Sequence, residues 1–421
     1  MKASPMDTTT PSRGRLSRKT LIVQFASYLL LVSVANGLGT LWPVYLVRLG
    51  GSLPLVGYFT AVGTLGLTIG TIGSGWLADR LKQQRILFIL ACAVFGVGLV
   101  AMSRIHSLSM LTLVNFTNSI AIGTGYNMIF MLTGLRTGQG ERGRAFGIVA
   151  FTAAVGTTVG GLTSGPIVDR WGFPELFLLS AVVVGCTLII ALTLQDIRVA
   201  PDTAAISGSA GDRTPLGRNF PFMIAAALFS AATYFIGQLG LLATMNRLGY
   251  AATNISFTIA IGAMISMPAP LLMGWLSDRI GRKRLVLACY VGGMTSLTIL
   301  AWAQSLGSFW AASALLALLS SSSAAGTALV TDSVPPKSLG TALSLTAAAS
   351  HLGGLVGSPS MGLILQHLGQ RNAFLACMLV PLAAIAVILP IREQPFRKSH
   401  VVSNGAQPEA NHPKPPSRAG H

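Results

Sequence analysis

Charged side chains are scarce in this sequence. Only 10% of its 421 residues are Asp, Glu, Lys or Arg, and just 12 are acidic. A soluble globular chain carries roughly a quarter charged residues, so a single water-soluble core is excluded. Cysteine is thin as well: four residues, all inside apolar stretches, with no zinc or disulfide spacing. There is no His-Glu-x-x-His, no Gly-x-Ser-x-Gly and no Walker loop, so no nucleophile, metal set or cofactor site presents itself and an enzyme is not expected. The net charge of +17 raises nucleic acid as a partner. However, no basic stripe alternates with aromatics, and the basic residues stand between hydrophobic runs, where membrane topology accounts for them.

What the chain has in abundance is apolar length. Hydrophobic residues make up 52%, with a mean hydropathy of +0.65. Between Leu21 and Ile391 they form twelve runs of about 20 residues, the length that crosses a hydrocarbon core of roughly 30 Å. The runs lack the alternation of barrel strands, so helices are the remaining way to satisfy the backbone in lipid. The expectation is an all-α polytopic membrane protein with twelve transmembrane helices. With the N-terminus inside, 24 of the 29 basic residues face the cytoplasm and five face out, which places both termini in the cytoplasm of a cell-membrane protein. The chain divides into a cytoplasmic tail (1–19), a six-helix bundle (20–195), a Gly/Ser/Pro/Asp linker (196–219), a second six-helix bundle (220–392) and a disordered cytoplasmic tail (393–421).

A turn motif recurs in the loops. After span two stands Gly75-Trp76-Leu77-Ala78-Asp79-Arg80, and after span eight Gly274-Trp275-Leu276-Ser277-Asp278-Arg279-Ile280-Gly281-Arg282-Lys283. Span five ends in Gly165-Pro166-Ile167-Val168-Asp169-Arg170, and span eleven in a degraded copy, Gly362 to Gly369. The first pair faces the cytoplasm and the second the outside, so a three-helix unit recurs with inverted topology in each half. That nesting suits a carrier whose pseudo-symmetric halves rock about a midplane site.

At these residues the chain resembles the major facilitator superfamily. The superfamily loop signature is Gly-x-x-x-Asp-Arg-x-Gly-Arg-[Arg/Lys]; Gly274 to Lys283 matches it in full, and the first copy keeps Gly75, Asp79 and Arg80. The resemblance implies that Gly75, Asp79, Arg80, Gly274, Asp278, Arg279, Gly281 and Arg282 gate the cytoplasmic side, with the two Asp residues facing the positive ends of neighbouring helices. The plainer reading leaves Asp-Arg as a solvated pair that only sets topology. The resemblance also implies a monomer.

No Asp, Glu, Lys or Arg stands near the middle of a span, which disfavours charged substrates and buried-acid coupling. His351, about twelve residues into span eleven, is the ionisable group at mid-depth: a proton carrier, or a neutral histidine bonded to a neighbouring helix. Polar residues collect in spans one, four, seven and ten. Asn36 shares a face with Ser33 and Thr40, Asn115 and Asn118 pair in span four with Tyr126 deeper, and Tyr234 pairs with Gln238 in span seven. In the superfamily fold these helices, with two, five, eight and eleven, resemble the cavity lining, so these six residues are candidate substrate ligands. The alternative is interhelical bonding. Pro43 should kink span one, and Pro268 with Pro270 span eight.

Drug–proton antiporters of the superfamily carry an Arg in span four, a Gly-Pro-x-x-Gly-Gly in span five and an acid in span one. Here span four has no Arg, Thr157 replaces the proline in Gly156-Thr157-Thr158-Val159-Gly160-Gly161, and the acid is missing. The spacing still resembles the drug-efflux branch more than the sugar porters. The expectation is export of a small neutral or amphiphilic solute, with protons as the coupling partner if there is one. A facilitator or uptake porter for a neutral metabolite such as a sugar is the rival. A non-transporting sensor is the alternative of another class, against which the intact Gly274–Lys283 loop argues.

Overall fold

A computed structural model of the chain describes residues 18–81, 83–136, 142–193, 219–334 and 339–390. Both tails and nearly all of the 196–219 linker lie outside the described residues. Among those described, the chain is helical without a strand. The first six helices are α1 (Arg18–Arg48), α2 (Leu53–Leu81), α3 (Gln84–Met102), α4 (Leu108–Arg136), α5 (Arg142–Trp171) and α6 (Phe173–Leu192). After the linker come α7 (Phe220–Arg247), α8 (Ala252–Ser266), α9 (Ala269–Ile280), α10 (Arg282–Trp302), α11 (Leu306–Ser333), α12 (Leu339–Cys377) and α13 (Leu379–Ile388).

Among the described residues, nine helical stretches are long and apolar enough to cross a membrane. Three local effects reconcile nine with twelve passes. α4 has the length, but Asn115, Thr117, Asn118, Ser119 and Asn127 dilute its hydropathy. The eighth pass is split at Met267-Pro268 into α8 and α9, of 15 and 12 residues, because proline removes a backbone donor and clashes with the preceding turn. Ala342–Ile388 is a single 47-residue stretch that would extend about 70 Å as one helix, over twice the hydrocarbon thickness. Gly369, at φ 71°, turns the chain within it and makes two passes. Pro43, by contrast, lies inside α1 without breaking it; the expected kink is no interruption.

Within the first six helices α1 packs on α5, α2 on α4, and α3 on both α4 and α6; among the others α7 packs on α12, α10 and α8 on α11, and α13 on α7. Glycines at four-residue spacing make the closest crossings. Gly66 and Gly70 meet the α4 backbone at Phe116 and Ile120, Gly156 and Gly160 meet α1 at Leu29 and Ser33, and Gly353 and Gly357 meet α7 at Leu228 and Ala232.

Helix ends are finished by side chains from neighbours. Arg85, at the start of α3, donates to the Leu192 carbonyl at the end of α6. Lys283, at the start of α10, donates to the Leu389 carbonyl beyond α13 at 2.6 Å. The two halves thus solve the problem of orphan carbonyls in the same way. Gln370 Nε2 closes α10 by donating to the Leu300 and Ala303 carbonyls, 2.9 Å each. Near the ends of the passes, arginines lie over aromatic rings: Arg80 on Trp76 at 4.9 Å and Arg279 on Trp275 at 4.0 Å at one end, Arg170 on Trp171 and Arg371 on Trp302 at the other. Such pairs suit the headgroup level, where a ring is half-buried and a cation stays wet.

The two groups of helices meet along α5–α8 and α2–α12. Their tightest contacts gather at the end that carries the 1–2, 5–6, 7–8 and 11–12 turns. A Cβ on Gly57 would stand 2.6 Å from the Ser358 carbonyl oxygen, and one on Gly161 2.8 Å from that of Ser256. Nothing larger than glycine fits at either place, and this end is closed. Gly161→Leu should therefore hold it apart. Ser256, fully buried in the closed structure, is the reporter: Ser256→Cys should react with a membrane-impermeant maleimide in the Gly161→Leu background and resist it otherwise. Equal resistance in both would remove the packing argument.

Candidate functional site

Above the closed end, at mid-depth, a cavity of about 380 Å³ lies between the two groups of helices. Its wall comes from α1, α2, α5, α7, α8, α11 and α12, and none of the residues lining it is Asp, Glu, Lys, Arg or His. Asn36, Gly39 and Pro43 face it from α1, Thr157 from α5, and Tyr234 and Gln238 from α7. Three of the six sequence candidates are thus brought together.

Their hydrogen bonds differ. Asn36 Nδ2 donates to Thr157 Oγ1 at 2.6 Å and ties α1 to α5. Tyr234 stacks edge-on to Phe235 with ring centroids 5.5 Å apart, and neither its hydroxyl nor the Gln238 amide bonds to a described residue. The serines and threonines along the same wall mostly spend their protons on their own helices: Thr40 on Gly37, Ser320 on Ala317 and Ser266 on Ala263. They leave polar texture but little binding capacity.

The other three candidates lie elsewhere. Asn115 is buried and donates to the Phe59 carbonyl of α2 at 3.3 Å, while Asn118 is buried against Gly98 and Met102 of α3. Both occupy helix–helix seams, and α4 contributes nothing to the cavity wall. Tyr126 packs edge-on against Tyr28, 5.7 Å between centroids, with its hydroxyl buried and unpartnered. His351 stands on α12 partly exposed, outside the cavity wall and without a hydrogen bond to a described residue.

The closed end has a charged fastening. Asp169, in the last turn of α5, accepts hydrogen bonds from the backbone N–H groups of Ala252 (3.1 Å) and Thr253 (2.8 Å), the first residues of α8. A carboxylate here satisfies two orphan donors of a helix start and meets the positive end of its dipole. The bond crosses between the two groups of helices and sits beside Gly165, whose Cβ would be 2.6 Å from the Ala252 carbonyl oxygen. In sequence Asp169 stands in the repeated turn with nothing in the motif to assign it a role. Its spacing, matched to that of Asp79 and Asp278, was the signal. Thr157 stands out in sequence only as a missing proline.

The sequence profile of the Major Facilitator Superfamily matches residues 21–270 and 222–414, nearly the whole chain. The protein belongs to the Major Facilitator Superfamily. It is thus a multi-pass membrane transporter and not an enzyme. Among superfamily relatives, it is 23% identical over 338 residues to "Putative niacin/nicotinamide transporter NiaP" of Bacillus subtilis, covering 78% of this chain and 84% of that one. It is 26% identical over 256 residues to the 3-(3-hydroxy-phenyl)propionate transporter of Escherichia coli, 58% and 61% of the two chains. To multidrug resistance protein Stp of Mycobacterium tuberculosis it is 27% identical, over 35% of this chain and 30% of that one. Two solved structures share the fold: nucleoside transporter NupG, with TM-score 0.71 at 14% identity over 89% of this chain and 99% of that one, and a bacterial homolog of the human lysosomal transporter Spinster, inward-facing and unoccupied, with TM-score 0.69 at 15% identity over 89% and 97%.

The superfamily loop residues stand at the end opposite the closed one. Gly75 and Arg80 lie in the last turns of α2, Arg279 in the last turn of α9, and Gly281, at φ 93°, links α9 to Arg282 at the start of α10. Asp79, Gly274 and Asp278 fall within these helices, and the side chains of the two Asp residues lie outside what is described. For Asp169 the expectation is measurable. Asp169→Ala removes both cap acceptors, worth about 1–2 kcal/mol, and should raise the fraction open at this end about five- to thirtyfold. Maleimide labelling of Ser256→Cys reports it, and an unchanged labelling rate would show that the carboxylate holds nothing.

Proposed function

We propose that this superfamily member carries a small uncharged organic solute across the membrane by alternating access, with residues 20–195 and 220–392 as the two rocking bodies. The observation that carries this reading is the cavity: mid-depth, between the two groups of helices, without a charged residue, and holding unspent polar groups on Asn36, Tyr234 and Gln238. A charged solute would lose its hydration there with no counter-ion to replace it. Relatives named for niacin or nicotinamide and for a hydroxyphenyl propionate support a single small aromatic molecule over a bulky one.

The excess of basic residues in the loops puts the closed end outside and both termini in the cytoplasm, so this conformation is the inward-facing arm of the cycle. Opening outward then requires Asp169 to release α8, while Asp79 and Asp278 take up the equivalent duty on the cytoplasmic side. The carrier works as a monomer, and protons enter the cycle only through a group at the interface. Export remains the direction favoured by the multidrug relatives, which match about a third of this chain. Uptake is the second reading, favoured by the niacin/nicotinamide relative, which matches 78% of it.

A thermal-shift screen of the purified protein tests the cavity reading, since a ligand of the folded state must raise the melting temperature. Uncharged aromatic solutes should stabilise the protein, and Gln238→Ala should reduce that shift while leaving the unliganded stability within about 0.5 kcal/mol of the parent. Stabilisation by organic cations or dicarboxylates instead would sink the neutral-solute reading. In proteoliposomes loaded with the hit, the direction of faster flux separates export from uptake. Asp278→Asn should slow turnover there without changing affinity, and normal turnover would leave that residue as a topology marker.

A further inference from the structure

We infer that the α1 wall of the cavity requires a hydrogen-bond donor on the solute, and that the site takes a small uncharged aromatic amide. The inference rests on the cavity being the transport site and adds which solute chemistry it selects. It begins with the orientation of one amide. Thr157 Oγ1 donates its single proton to the Ala153 carbonyl at 2.9 Å, so towards Asn36 it can only accept. The group 2.6 Å away must then be the Asn36 NH₂. The Asn36 Oδ1 is left without a protein partner among the described residues, an acceptor held in place on the cavity wall.

One turn further along α1, the backbone supplies a second acceptor. The Gly39 carbonyl would receive the N–H of residue 43 in a regular helix, but residue 43 is proline, and α1 continues through it. Gly39 has no side chain to cover its carbonyl, and it is exposed on the cavity wall, which the buried Pro43 also lines. Residues 36, 39 and 43 share a face. The hydroxyl that could have served this wall as a donor, Thr40, is spent on the Gly37 carbonyl at 2.7 Å. The α1 wall therefore offers two acceptors, and beside them only the second N–H of Asn36 as a donor.

The remaining walls are complementary to the rest of such a solute. The edge-on pair Tyr234–Phe235 gives an aromatic surface, and Gln238, one turn on, has both a donor and an acceptor for a carbonyl. On α12 Ser358 borders the same cavity, its hydroxyl turned into the packing, fully buried and with no partner among the described residues. A volume of about 380 Å³ is near the lower end of ligand pockets, enough for one substituted ring. A carboxylate would meet the α1 acceptors with no cation in reach, and an ester of the same shape would leave them unpaired.

The test uses the full chain in detergent and three probes of one shape: benzamide, methyl benzoate and benzoate, measured by titration calorimetry. Benzamide should bind at least about tenfold more tightly than the other two. Pro43→Ala gives the Gly39 carbonyl its helical donor back and removes a proline from a helix, so folding is not at risk. It should weaken benzamide about three- to tenfold and leave methyl benzoate unchanged. Methyl benzoate binding as well as benzamide, or an unaltered ratio in Pro43→Ala, overturns the donor requirement while leaving the cavity in place. Benzamide binding that survives Gln238→Trp, which fills the cavity, overturns the cavity reading as well. No binding by any probe overturns the aromatic amide.

Discussion

A backbone in hydrocarbon has no water to bond to, and that constraint organises this molecule. It makes the passes helical, and it decides how each ends. Arg85, Lys283 and Gln370 reach across to carbonyls of neighbouring helices because those carbonyls would otherwise be left unpaired near the lipid. It also gives meaning to exceptions. Two of the prolines that cancel a donor stand by the cavity: Pro43 lines it, and so does Ser266, the last residue before the break in the eighth pass.

Closure at one end combines two kinds of contact that are weak alone. Glycines let α5 and α2 approach α8 and α12 until backbones touch, which gains dispersion but no direction. Asp169 adds direction, because its two acceptors meet two N–H groups only in one register. The α2–α12 seam, whose repeat copy has degraded to Gln366 and His367 in place of Asp-Arg, relies on Gly57 and Gly362 for its fit. The pseudo-symmetric halves therefore close with unequal chemistry: a charge on one seam and shape on the other.

The fold was legible because its signals are long and redundant: apolar runs of span length, basic residues in alternate loops, and a turn repeated at matching offsets. Spacing within a helix says less about direction. Asn36, Asn115 and Asn118 look alike in sequence, yet Asn36 reaches the cavity while the other two face α2 and α3. Which side of a helix meets solute depends on how neighbouring helices are rotated, and a single sequence carries no record of that rotation. Thr157 illustrates the limit from the other side. As a departure from a motif it suggested a lost function, whereas in three dimensions it fixes the orientation of Asn36.

Three of the turns consist of one glycine each: Gly172 between α5 and α6, Gly281 between α9 and α10, and Gly369 within α12, all with φ between 71° and 101°. A connector of one residue stores no slack. A helix that lines the cavity cannot tilt while the next one stays still, so each such hairpin behaves as a stiff lever whose far arm is α6, α10 or α13. Those arms present Val182, Ile189, Val291 and Leu379 to the surroundings. Under the proposed alternating access the bilayer is a mechanical load on the cycle: hydrocarbon thickness and lateral pressure would act on the same levers that open and shut the cavity.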